Sequence, residues 1–322
     1  MSGIIRCFDR GTLWGRVKAR TTYAIERGAI QTIPTHSEWV EQGGVNFLIR
    51  IVSNLARKAQ AKVEQQQSAV ADQANQNPFF PYDPDLFVAD ISDTHVCLLN
   101  KFNVLDHHIL MVTRSFQEQE SLLTRDDCEA LLLCLKEYEG LAFYNAGEAA
   151  GASQRHKHLQ MVPLPLTPEV PQLPIEPLLG MARFEAKMGV VPGLPFLHAI
   201  TRMNPQWIEA LGEGAQDMFL QYLDMLRNVG LSDPGAEGDM MRPRPYNLLV
   251  TRQWMFLVPR STECFEGISV NALGFAGGFL VKDEAQLNLL KKNGPMTALQ
   301  HVGVSFNSNQ TDDKSSGVSI GE

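Results

Sequence analysis

The chain has 322 residues, 44% of them hydrophobic, enough for one large core or two medium ones. A net charge of −8 argues against a general nucleic-acid binder, and five cysteines without a C-x-x-C pair argue against a disulfide framework or a cysteine zinc site, so a reducing, cytoplasmic setting is expected. A charged start and the lack of an apolar run of membrane-spanning length predict a soluble protein without a signal peptide or a membrane anchor.

In chain order, residues 12–30 have helical spacing, with Leu13, Val17, Ala24 and Ile25 apolar and Gly28 near the end. Charge is uneven here: residues 1–60 carry +5 and the remainder −13, so a polyanionic ligand needs a local cationic site. Residues 45–52 read as a strand, and residues 59–77, rich in Gln, Ala and Asn, as a mobile surface insertion. FVADI, HVCLLN and HHILMVT then predict an antiparallel meander. Thr124 is a fitting N-cap for a helix with Asp126 and Asp127 in its first turn and Ala130, Leu131, Cys134, Leu135 and Tyr138 on its buried stripe.

LAFYNAG, a small-residue turn, and RHKHLQMVP follow, each segment outside the turn short enough for a strand. Prolines crowd residues 163–177 and predict a connection between two halves. The second half is α/β in pattern, with a helix around Met218 to Val229, a strand pair YNLLVTR and WMFLVP, and a closing helix near Asp283 to Lys292. The boundaries expected are 1–175, 176–305 and a disordered tail at 306–322.

The sharpest cluster is Arg155-His156-Lys157-His158-Leu159-Gln160. On a strand, His156, His158 and Gln160 share one face, and Lys157 and Leu159 the other. Three readings compete. The histidines could chelate a metal with a third ligand such as Cys97, His95 or His108, or form a structural surface pair, or one could attack phosphorus. The last needs one ring nitrogen held as a donor to a carbonyl, so that the other presents its lone pair. Ser153, Gln154, Gln160 and the backbone of the turn could then donate to phosphate oxygens, with Asn145 and Gly147 just upstream, where a ribose or a phosphate can approach closely. Phe79 and Phe80, after Asn77 and Pro78, could wall a base or simply form core. His107 and His108 read as structural, and Cys264, beside acidic residues, is no nucleophile candidate.

YNAGEAAGASQRHKHLQMVPLP, with LLNKFNVLDHHILMVTR upstream and YNLLVTRQWMFLVPRS downstream, resembles the diadenosine tetraphosphate phosphorylases, also called ATP adenylyltransferases, a branch of the histidine triad superfamily. The resemblance spans roughly residues 45 to 300. It implies an α+β fold, a histidine-triad-like antiparallel sheet with helices plus a C-terminal α/β domain that packs on it and completes the pocket. It implies that His158 is the nucleophile, that His156 orients the site and that Gln160 holds phosphate. It also implies that Asn145, Ser153 and Gln154 contact ribose and phosphates, with Lys101 and Arg114, and more weakly Lys58, neutralising a polyphosphate. The expected reaction is diadenosine tetraphosphate plus phosphate giving ATP and ADP, reversibly, by a monomer using Mg²⁺ with its substrate and no tightly bound transition metal. Galactose-1-phosphate uridylyltransferase, a triad hydrolase and a nucleotide-binding sensor are the alternatives.

Overall fold

The computed structural model describes residues 8–52, 77, 79–170, 173–231 and 244–306. Apart from Asn77 and Phe306, the expected insertion and tail lie outside these residues. Helix α1 (Leu13–Glu26) buries Leu13, Val17, Thr21 and Ala24 at successive turns. Ile25 is exposed although apolar, whereas Thr21 is buried and returns its hydroxyl to the Val17 carbonyl at 2.8 Å. Strands β1 (Thr35–Gln42) and β2 (Val45–Val52) form a hairpin whose two-residue turn, Gly43-Gly44, has both residues at positive φ. β1 was not legible as a strand, since THSEWVEQ lies on the surface and lacks an apolar face.

The expected meander is present as β3 (Phe87–Asp90), β4 (His95–Leu99) and β5 (Ile109–Thr113). Helix α2 (Arg125–Glu137) starts from Thr124 with a capping box, the Thr124 side chain accepting from the Asp127 amide and the Asp127 carboxylate accepting from the Thr124 amide. β6 (Gly140–Ala146) and β7 (His158–Pro163) then pair antiparallel. In the second half come β8 (Arg183–Glu185), β9 (Met188–Val190), β10 (Ala199–Arg202), helix α3 (Leu211–Asn228), β11 (Tyr246–Val250), β12 (Trp254–Pro259), β13 (Gly278–Val281), and helices α4 (Glu284–Asn293) and α5 (Pro295–Val302).

Ten strands form one antiparallel sheet in the order β8-β9-β10-β12-β11-β6-β7-β5-β4-β3. The two halves meet inside this sheet, where β6 pairs with β11 and Asn145 stands opposite Asn247. One face, with Tyr144, Leu159, Met161, Tyr246 and Leu248, packs against α1, α2 and α3. The other carries Phe143, Val162, Leu249 and Phe256 and is covered by the three-stranded sheet β13-β2-β1 with α4 and α5. Among the described residues no helix is long and apolar enough to cross a membrane.

Candidate active site

β6 and β7 stay paired from Gly140 opposite Pro163 to Phe143 opposite Gln160, then part. Gln119 fills the gap as a surrogate strand. Its Nε2 donates to the Asn145 and His158 carbonyls at 3.0 and 3.1 Å, and its Oε1 accepts from the His158 amide at 2.8 Å. The chain between the strands turns through Gly147 and Gly151, at φ +90 and +84. A Cβ on Gly151 would come within 2.9 Å of the Val270 carbonyl, so only glycine lets this turn lie against the second half.

His158 opens β7, and its Nδ1–H donates to the His156 carbonyl at 2.8 Å. Burial pulls the imidazole down to about 4, the hydrogen bond to the His156 backbone opposing. The ring is therefore neutral near pH 7, and Nε2, without a hydrogen-bond partner among the described residues, carries the lone pair. Phe79 covers the ring at 5.2 Å between centroids.

His156 precedes β7 and pairs with Glu118 through an isolated antiparallel bridge. Its Nε2–H donates to the Thr113 carbonyl at 2.7 Å, and its Nδ1 accepts from Asn77 at 2.6 Å. Burial lowers its pKa, with the Thr113 and Ser115 backbone opposing. Both ring nitrogens are thus engaged, and His156 acts on His158 through its carbonyl. On the opposite face Lys157 is fully buried and donates to Asp127 at 2.6 Å and to the Leu122 carbonyl at 2.7 Å. Burial alone would raise the Asp127 carboxyl, but its hydrogen bond with His95 and the Lys157 charge outweigh this and hold it at about 2.

A cavity of about 740 Å³ lies over this face of the sheet. His158, Gln160, Asn145, Ser153, Gln154 and Lys101 line it, as does Phe79. Gly147 and His156 do not line it; they shape the turn and orient His158 from behind. Arg114 is also absent from the wall, contrary to expectation, because it pairs with Asp90 and donates to the Ser92 carbonyl. Lys58 lies outside the described residues.

His108, expected to be structural and otherwise weighed only as a possible metal ligand, lines the cavity. Asn100 donates to its Nδ1 at 3.1 Å, which leaves the proton on Nε2. That atom is buried without a hydrogen bond among the described residues, beside the Gln160 amide. Burial pulls His108 down to about 4; the Gln160 amide opposes and His158 reinforces. The available signal was alternation, since His108 and Leu110 share a face and Leu110 stands opposite Gln160. Arg50 and Lys282 also line the cavity and were missed, because they lie far apart in sequence and meet only where β13 runs parallel to β2 with Leu280 opposite Arg50. Arg50, Lys101 and Lys282 thus face the cavity with Asp83 as the one carboxylate among its described lining residues. That is the local cationic site a polyanion needs on an acidic chain. Among the described residues no cluster of three or more His, Cys, Asp or Glu side chains is placed to hold a metal ion. Burial raises the Cys264 thiol, with Glu263 adding to it, as expected of an unreactive cysteine.

Two family models match the chain: the Ap4A phosphorylase N-terminal domain over residues 5–181 and the ATP adenylyltransferase C-terminal domain over residues 192–305. Diadenosine 5',5'''-P1,P4-tetraphosphate phosphorylase 2 of Saccharomyces cerevisiae is 28% identical over 247 residues, covering 69% of this chain and 74% of that protein. Protein APA1 of the same yeast is 30% identical over 210 residues, covering 58% of this chain and 61% of that protein. The crystal structure of yeast Ap4A phosphorylase Apa2 superposes with a TM-score of 0.72 at 23% identity, covering 96% of this chain and 98% of that one. Apa2 in complex with Ap4A superposes with a TM-score of 0.70 at 21% identity, covering 95% and 100%. At these identities the likeness is one of fold.

Proposed function

This chain belongs to the Ap4A phosphorylase family of ATP adenylyltransferases, and from that membership we propose that it cleaves diadenosine tetraphosphate with phosphate to ATP and ADP, reversibly, through an adenylyl-histidine on His158. The observation that carries the mechanism is the 2.8 Å bond from His158 Nδ1 to the His156 carbonyl, which in a buried neutral ring turns the Nε2 lone pair into a nucleophile facing the cavity. Nε2 attacks the α-phosphorus, the P–N bond forms as the P–O bond to the leaving ATP breaks, and ATP departs with the electron pair. Phosphate then attacks the same phosphorus, ADP leaves and Nε2 regains its lone pair. Asn145, Ser153, Gln154 and Gln160 contact the phosphate or ribose oxygens, and Arg50, Lys101 and Lys282 balance the polyphosphate charge.

Mg²⁺ bound to the polyphosphate would supply further charge neutralisation. The donor set suits that role, since Asp83 is the single carboxylate among the described lining residues and Mg²⁺ is usually held by phosphate oxygens, water and one or two carboxylates. We further propose that the chain works as a monomer in the cytoplasm. Val270, Asn271 and Lys282 of the second half complete the cavity wall, which supports this.

The test is to incubate the protein with diadenosine tetraphosphate and Mg²⁺, with and without phosphate, and to resolve the nucleotides. ATP and ADP in equal amounts, with turnover only when phosphate is present, are expected. AMP and ATP would make it a hydrolase, and binding without products a sensor.

A further inference from the structure

Asn145 is the next-to-last residue of β6, fully buried behind the cavity that it lines. An amide can face a ligand with either its oxygen or its NH2 group, and the two choices recognise opposite chemistry. Here the choice is made by atoms that can only donate. The Ala272 backbone N–H meets Asn145 Oδ1 at 3.0 Å, so that atom must be the acceptor. The second donor to Oδ1 is Asn247 Nδ2 at 2.8 Å, reaching across the strand pair from β11. The Asn247 amide is itself oriented, because Arg260 Nη1 donates to its Oδ1 at 2.6 Å and a guanidinium has no acceptor.

Arg260 is in turn spoken for on every side. It is 3% exposed and donates to the carbonyls of Val302, Thr262 and Glu263 at 3.1, 2.9 and 3.1 Å. Asn247 Nδ2 and Arg260 Nη1 also reach the Ala150 carbonyl, at 2.8 and 3.3 Å, and so pin the turn that leads to Ser153 and Gln154. With Oδ1 receiving two donors, the Asn145 NH2 group has no acceptor among the described residues and borders the cavity.

We propose that Arg260 and Asn247 are positioning residues which hold Asn145 with its NH2 group toward the cavity, so that Asn145 recognises the nucleotide by donating to an acceptor oxygen. The polarity passes from a permanent donor in the second half, through two amides, to a ligand-facing donor in the first. The inference rests on the nucleotide reading of the cavity and adds the sign of one contact and the residues that set it.

Asn247→Asp tests it. The carboxylate still receives Arg260, which holds the fold together, but its other oxygen now faces Asn145 Oδ1 and the Ala150 carbonyl, so the donor pattern breaks. We expect kcat/KM for diadenosine tetraphosphate to fall about 30-fold, as for a lost hydrogen bond to a charged group, with most of the change in KM. The AMP dissociation constant, by calorimetry, should rise in step. In an Asn145→Ala background the same substitution should cost several-fold less, since only its bond to the Ala150 carbonyl is then left to lose. Equal losses in both backgrounds, or a fall in kcat at unchanged KM in a protein that is fully folded, would overturn the proposal.

Asn145→Asp settles the same point if Asn247→Asp does not fold. One carboxylate oxygen still receives Asn247 and Ala272, and the other replaces the donor facing the cavity. AMP affinity should drop at least about 30-fold; affinity within about threefold of wild type refutes the assigned polarity. A wild-type chain that neither binds AMP nor turns over diadenosine tetraphosphate overturns the nucleotide reading together with this one, whereas failure of this inference alone leaves wild-type activity intact.

Discussion

His158 Nε2 keeps a free lone pair because the rest of the residue is engaged: Gln119 holds its backbone at both ends and the His156 carbonyl accepts from Nδ1–H. Deleting the ring with His158→Ala should lower turnover at least about 10⁴-fold while circular dichroism stays native, and a variant keeping a tenth of the activity would remove His158 from the chemistry. Gln160 tests mechanism more closely. With the proton of His108 on Nε2, that N–H lies beside the Gln160 amide and favours its oxygen, which leaves the Gln160 NH2 group for a phosphate oxygen. Such a donor cannot act as a base toward water, whereas a histidine at the same position can. Gln160→His should therefore slow phosphorolysis and raise the share of AMP formed by water attack. Product ratios at fixed phosphate measure this, and an unchanged AMP share would place acceptor choice elsewhere in the pocket.

At the scale of the element, α2 and β7 are locked together by one carboxylate. Asp127 closes the capping box with Thr124 and receives both Lys157 and His95, so the first turn of the helix fixes the strand that carries His158. Lys157 follows the residue whose carbonyl orients His158, which is why this pairing matters to geometry as well as to stability. Removing the charge with Asp127→Asn leaves a buried ammonium unpaired and should destabilise the protein by about 3–5 kcal/mol. The double variant Asp127→Asn with Lys157→Met should recover most of that, because the stranded charge is gone. Urea unfolding of the two single variants and the double is the measurement; additive losses would mean that the two residues contribute independently.

Across the whole molecule, burial of His158 and His108 in one cavity makes stability depend on pH. Both are lowered to about 4 from an ordinary value near 6.5, so in the folded state they stay neutral while the unfolded chain takes up protons. The sign follows: their contribution is complete above pH 6.5 and is lost as pH falls from 6.5 toward 4, by up to about 3 kcal/mol for each. Unfolding free energies at pH 7, 5.5 and 4.5 should decline accordingly, and His108→Asn should flatten the decline. A wild-type stability that does not change between pH 7 and 4.5 would show that these rings are not buried as neutral groups.

What the sequence determined by itself is what short-range regularity can encode. Alternation along β7 sets His158 and Gln160 on one face and Lys157 on the other, Thr124 and Asp127 spell a helix start three residues apart, and the apolar runs of β3, β4 and β5 announce a meander. The tertiary structure decided everything that depends on which distant segments meet. It took Arg114 away from the cavity by pairing it with Asp90, and it brought Arg50 and Lys282 in through the pairing of β2 with β13. It buried His108 beside Gln160, placed Gln119 between two parting strands, and set Asn247 and Arg260 behind Asn145. The physical reason is that side-chain direction follows from backbone period within a few residues, whereas the partner of a polar group, and so its charge state and polarity, is chosen by contacts more than a hundred positions apart, such as Asn145 with Asn247 and Ala272.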